Sequence, residues 1–96
     1  MINKRAQKIG TIKFVNGNMT DLYIDYNRNT GEPIVWQQLQ GARARRTTGR
    51  NIGRLVAALD EVLECGDGAW AWPPNERALR ALRRAGNDAS LWDDWQ

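Results

Sequence analysis

The sequence predicts an α+β domain in which a three-stranded antiparallel meander is followed by two helices packed on one face, in the order β-β-β-α-α. Three observations carry that expectation. Apolar and polar residues alternate over Ile9–Val15 and again over Met19–Tyr26, either side of the turn-forming run Asn16-Gly17-Asn18. Ile52, Leu55, Val56, Leu59 and Leu63 recur at the helical period. Glycine and proline punctuate the chain at Gly31, Gly66, Pro73-Pro74 and Gly86, where one element must give way to the next. A chain of 96 residues suits one small domain, with residues 1–8 as a flexible basic N-terminus and 87–96 as an acidic tail carrying Trp92 and Trp95.

The register of the first hairpin follows from its pairings. A two-residue Asn16-Gly17 loop opposes Ile12 to Asp21 and mixes the faces. A three-residue loop opposes Ile12 to Leu22, Gly10 to Ile24 and Lys13 to Asp21, which sorts both faces. The turn Asn27-Arg28-Asn29-Thr30-Gly31 leads into Ile34-Val35-Trp36, and pairing Ile24 with Ile34 sets Leu22 opposite Trp36. Pro33 has no N–H to donate and suits an edge strand. The expected inward face is therefore Ile12, Phe14, Leu22, Ile24, Ile34 and Trp36, with Tyr23 outside beside Thr11, Lys13 and Asp21.

Gln37–Gly49 is the least regular stretch: polar, then arginine-rich, then Thr47-Thr48-Gly49. The first helix takes Thr48 or Asn51 as its cap and ends at Gly66, in the left-handed conformation that glycine adopts freely. Gly66-Asp67-Gly68 reads as a flexible joint, and Trp70-Ala71-Trp72-Pro73-Pro74 as a stiff one in which one tryptophan is buried and the other exposed. Pro74 opens a second helix, Asn75–Ala85, with Leu79 and Leu82 on one side and Gly86 at its exit.

Composition narrows the function. Histidine is absent, which removes the commonest general base and metal ligand. The single cysteine, Cys65, forms no Cys-His pair and no internal disulfide, and fits a reducing cytoplasm. Asp25–Gly31 resembles a calcium loop only superficially, because its glycine falls one place late and Trp36 stands where the bidentate glutamate belongs. Asp60 and Glu64 share a helical face, but acids at a helix end are common. We therefore expect no enzyme, no cofactor and no metal. No apolar run approaches the roughly 18 residues that span a bilayer, so no membrane partner is expected.

The positive charge is almost all arginine: eleven arginines against three lysines, at a net charge of +3. Arginine's planar fork grips phosphate or carboxylate in bidentate fashion and stacks on flat rings. Arg43, Arg45, Arg46, Arg50 and Arg54 fall within twelve residues around a helix start, and are expected to form one exposed anion-binding surface there. Arg50 and Arg54 oppose the helix dipole at its start, as Asp60, Glu61 and Glu64 do at its end, each at about 0.3–1 kcal/mol. Arg77, Arg80 and Arg84 share a face of the second helix, either as a solvated surface or as an extension of the basic one. Trp70, Trp72, Trp92 and Trp95 are either core plugs or interface anchors. Trp92-Asp93-Asp94-Trp95 can dock on a basic groove of a partner or of this chain.

These features point to a small non-enzymatic protein that binds nucleic acid or a nucleoprotein complex through its arginines. Three strands followed by a helix are similar in outline to the arm-binding domains of some phage integrases, which lay their sheet in a DNA groove. The alternative is an inhibitor or adaptor that binds a host protein complex through arginine and tryptophan. In size and general character the chain is similar to such phage- or mobile-element-borne inhibitors, anti-CRISPR proteins among them. The acidic, tryptophan-bearing tail favours a protein partner, and the arginines around a helix start favour phosphate. The sequence leaves the oligomeric state open.

Overall fold

The computed structural model describes residues 2–93, with side chains to residue 88. Strands β1 (Gln7–Phe14), β2 (Met19–Tyr26), β3 (Pro33–Leu39) and β4 (Arg45–Thr48) form an antiparallel meander. Helix α1 (Asn51–Cys65), a short strand β5 (Gly68–Trp70) and helix α2 (Glu76–Asp93) follow. β5 pairs antiparallel to β1, so the sheet has five strands in the order β4-β3-β2-β1-β5, with both helices packed against it. The two-layer α+β architecture is as expected. The order is β-β-β-β-α-β-α, two strands richer than expected.

The β1–β2 loop has the expected three residues but lies one place earlier, at Val15-Asn16-Gly17. The Phe14 N–H donates to the Asn18 carbonyl (2.8 Å) and the Gly17 N–H to the Phe14 carbonyl (2.9 Å). Gly17 supplies the left-handed position at φ 92°. Gly10 therefore pairs with Leu22 and Ile12 with Thr20. Each partner moves by two residues, which preserves the faces. The register shifts between Lys8 and Gly10. This bulge turns Ile9 into the core, at 1% exposure, and puts Lys8 beside Tyr23 on the outer face.

The β2–β3 pairing differs by one residue from the expectation, and one residue exchanges the faces. Ile24 pairs with Val35, not Ile34, and Tyr23 pairs with Trp36. The cause is the turn. The Asn27 side-chain Oδ1 accepts N–H bonds from Asn29 (2.8 Å) and Thr30 (3.3 Å). The Asn27 N–H donates to the Glu32 carbonyl (2.8 Å), which holds Glu32 in the loop. Val35 thus fills the core at 0% exposure, while Ile34 and Trp36 join Tyr23 on the outer face.

Gln37–Gly49 is more regular than expected, since it completes β3 and, after the connection at 40–44, supplies β4. β3 is consequently interior. Pro33 is tolerated as its first residue, before pairing with β4 begins at Ile34 and Thr48. α1 starts at Arg50 with no side-chain cap, so neither Thr48 nor Asn51 serves. It ends as expected at Gly66, φ 78°, whose N–H donates to the Val62 carbonyl. Gly68 is no flexible joint. A Cβ there would lie 2.9 Å from Val62 and 3.1 Å from Ile12, so glycine lets β5 slide beneath α1. Asn75 caps α2 by accepting the Ala78 N–H (3.1 Å). The helix runs through Gly86 to Asp93 instead of ending at Ala85. Ala78, Leu82 and Ala85 seal the core with Ile12, Leu22, Ile24 and Ile52, and Leu79 packs at its margin. Among the described residues no helix is long and apolar enough to cross a membrane.

Candidate functional site

Strand alternation decides where the arginines point. Arg46 pairs with Trp36 and Arg45 with Gln37, so these neighbours stand on opposite faces of the edge strand β4. Arg46 joins the outer face. Arg45 takes the helix side, where Arg54 projects one turn into α1. Arg43 precedes β4, in the bend that follows Gly41 (φ 80°), and borders a hollow with Tyr23 and Gln38. The expected single surface is thus corrected: the cluster wraps around the β4 edge. Arg50 sits at the α1 start.

At that corner Arg45, Arg46, Thr48, Asn51 and Arg54 line a hollow of about 490 Å³. Its open shape and polar lining suit an extended anion more than an enclosed metabolite. Among the described residues the ion pairs are Lys8 with Asp21 (3.7 Å) and Arg83 with Asp60 (3.0 Å). Neither involves Arg43, Arg45, Arg46 or Arg54.

The second arginine group divides as well. Arg77, Arg80 and Arg84 are exposed on the side of α2 opposite Ala78, Leu82 and Ala85. They face away from the sheet and do not extend its outer surface. Arg83 donates from Nη1 to Asp60 Oδ2 (3.1 Å), tying α2 to α1. Asp60 thereby has a tertiary partner that accounts for its unfavourable place at the end of α1.

The tryptophans separate into distinct roles. Trp70 is half-buried, packs on the core and lies over Gly10, where a Cβ would come 2.8 Å from its ring. Trp72 is 53% exposed. Trp92 falls on the last turn of α2, and Trp95 lies outside the described residues. On the outer face Tyr23 and Trp36 are cross-strand neighbours, followed by Arg46 on β4. Trp36 was missed as an outer residue because the signal for it, the Asn27 side-chain turn, lies nine positions upstream.

Comparison with protein-family models, with curated proteins and with solved structures finds no match.

Proposed function

We propose that the protein is a non-enzymatic nucleic-acid-binding domain that grips phosphates with the arginines of the β4–α1 corner. The observation that carries this reading is that Arg45, Arg46 and Arg54 line one open hollow around the β4 edge, none of them in an ion pair among the described residues. Three guanidinium groups around one hollow repel one another, and fold stability gives no reason to gather them. A polyanion supplies the missing charge and releases its own counterions. Arg43 adds a fourth cation around the strand edge.

The test is binding of fluorescently labelled DNA and RNA oligonucleotides as a function of salt. Three phosphate contacts give a loss of about 40-fold in duplex affinity between about 50 and 200 mM salt. The triple variant Arg45→Ala, Arg46→Ala, Arg54→Ala abolishes binding at the higher salt while the fold is retained. Salt-independent binding, or undiminished binding by the triple variant, refutes the reading.

A further inference from the structure

The geometry points to the outer face of the sheet as a platform for single-stranded nucleic acid, with bases stacked on Tyr23 and Trp36 and phosphates held by Arg43 and Arg46. This rests on the nucleic-acid reading above and adds to it the strand class and a second, aromatic contact surface.

Both helices pack on the opposite face, so among the described residues no secondary-structure element covers this one. Along one row across the sheet the cross-strand neighbours are Lys8, Tyr23, Trp36 and Arg46. Cation, two aromatics and cation in that order match the two surfaces of a single strand, whose bases are flat and whose backbone is anionic. A duplex hides its base faces and leaves the aromatics nothing to stack on.

Two hollows make the surface concave. One, of about 700 Å³, is bordered by Ile2, Tyr23, Gln38, Arg43 and Ala44. The other, of about 410 Å³, lies between Lys8, Asp21, Gln38, Leu39 and the half-exposed Trp72. Gln38 borders both, and Trp72 adds a third aromatic to the second. Tyr23 and Trp36 are each partly exposed. The Trp36 Nε1 atom is buried and has no hydrogen-bond partner. The indole therefore offers its carbon surface outward, which suits stacking and not sequence readout by hydrogen bonding.

Charge on this face favours an anion. Lys8, Lys13 and Arg46 share it with Asp21 and Asp25, and Arg43 stands at its border. Asp21 is already engaged by the Thr11 hydroxyl, which donates to it, and by Lys8. Among the described residues Lys13, Arg43 and Arg46 have no ion pair, and Arg46 stands next to the aromatic pair.

The experiment measures the affinity of the full chain for oligo(dT) and oligo(rU) of about 12 nucleotides and for a duplex of matching length. Expected is a single-strand preference of about tenfold or more. Tyr23→Leu and Trp36→Leu each lower single-strand affinity about tenfold and leave duplex affinity within about twofold, as loss of one stacked base predicts. Trp36→Phe keeps a ring and restores most of the affinity, which separates stacking from a folding defect. Equal binding of duplex and single strand, or single-strand affinity unchanged in both leucine variants, overturns this inference and leaves the arginine corner standing. Failure of both the single strands and the duplex to bind overturns both. Nuclease-resistant capture of a protein that is lost with Trp36→Leu assigns the face to a protein and likewise overturns it.

Discussion

Gly86 of α2 rests directly against Val56 of α1: a Cβ built on Gly86 would stand 2.9 Å from Val56 Cγ2 and 3.2 Å from Val56 Cβ. Glycine within a helix ordinarily costs about 0.5–1 kcal/mol relative to alanine, so Gly86→Ala on an exposed helix would stabilise. Here the sign reverses. Val56 is branched at the contact and has no flexible end to move, so the helices must separate. Gly86→Ala is expected to destabilise by about 1–3 kcal/mol in urea unfolding. Adding Val56→Ala removes the clash, and the double variant should lose less than the two single losses summed.

The β2–β3 register has a sharper test in two adjacent positions. Val35 is fully buried opposite Ile24 and Thr47, whereas Ile34 faces outward opposite Asp25 and Thr48. Val35→Asp places a carboxylate in the core and should cost more than about 3 kcal/mol, enough to threaten folding. Ile34→Lys gains Asp25 as a neighbour and should change stability by less than about 1 kcal/mol. Thermal melts of the two variants check both. The opposite ranking would restore a pairing of Ile24 with Ile34.

Which parts of this fold the sequence discloses depends on how local the deciding interaction is. The α1 stripe from Ile52 to Leu63 and its Gly66 stop are written in contiguous residues, and both are legible. The first hairpin is legible as to faces because an error of two residues does not exchange them. The second is not, because a one-residue difference in loop length is settled by the Asn27 side chain. β4 and β5 lack a pattern of their own: Arg45-Arg46-Thr47-Thr48 has no apolar residue, and Gly68-Ala69-Trp70 is three residues long. Each exists because a strand edge was available, which is tertiary information. Gly86 reads as a stop until a second helix is found against it. For the site, sequence locates the arginines but not their division, since Arg45 and Arg46 separate only once β4 is known to be a strand.

Trp36 carries a conflict that a conservative change should expose. Its buried Nε1 donor is unpartnered, a deficit of about 1–3 kcal/mol where water is excluded. Trp36→Phe deletes that donor together with part of the ring's contact area. The two effects oppose each other, and stability should shift by less than about 1 kcal/mol in either direction. Trp36→Leu forfeits more of the contact between Tyr23 and Arg46 and should be the less stable of the two. Paired chemical-denaturation curves separate them. A loss above about 3 kcal/mol for the phenylalanine variant would mean that the indole N–H is bonded in solution.

Arg83 and Arg45 provide an internal control for the electrostatic reading, because one is paired and the other is not. Arg83 spans α1 and α2 to Asp60 at 3.0 Å, with side-chain exposures of 47% and 37%. An ion pair that open to water contributes about 0.2–1 kcal/mol, so Arg83→Ala should lower stability by no more than that. Because its charge is already met by Asp60, removal should leave the salt dependence of nucleic-acid binding unchanged. Arg45 contributes no comparable intramolecular pair among the described residues, so Arg45→Ala should leave stability nearly unaltered. Its cost should fall on binding instead, reducing the slope of log affinity against log salt by about one. Measured together, the two variants dissociate stability from binding in opposite directions. A uniform loss of affinity in both would show that net charge alone, and not the position of the guanidinium at the β4–α1 corner, governs the interaction.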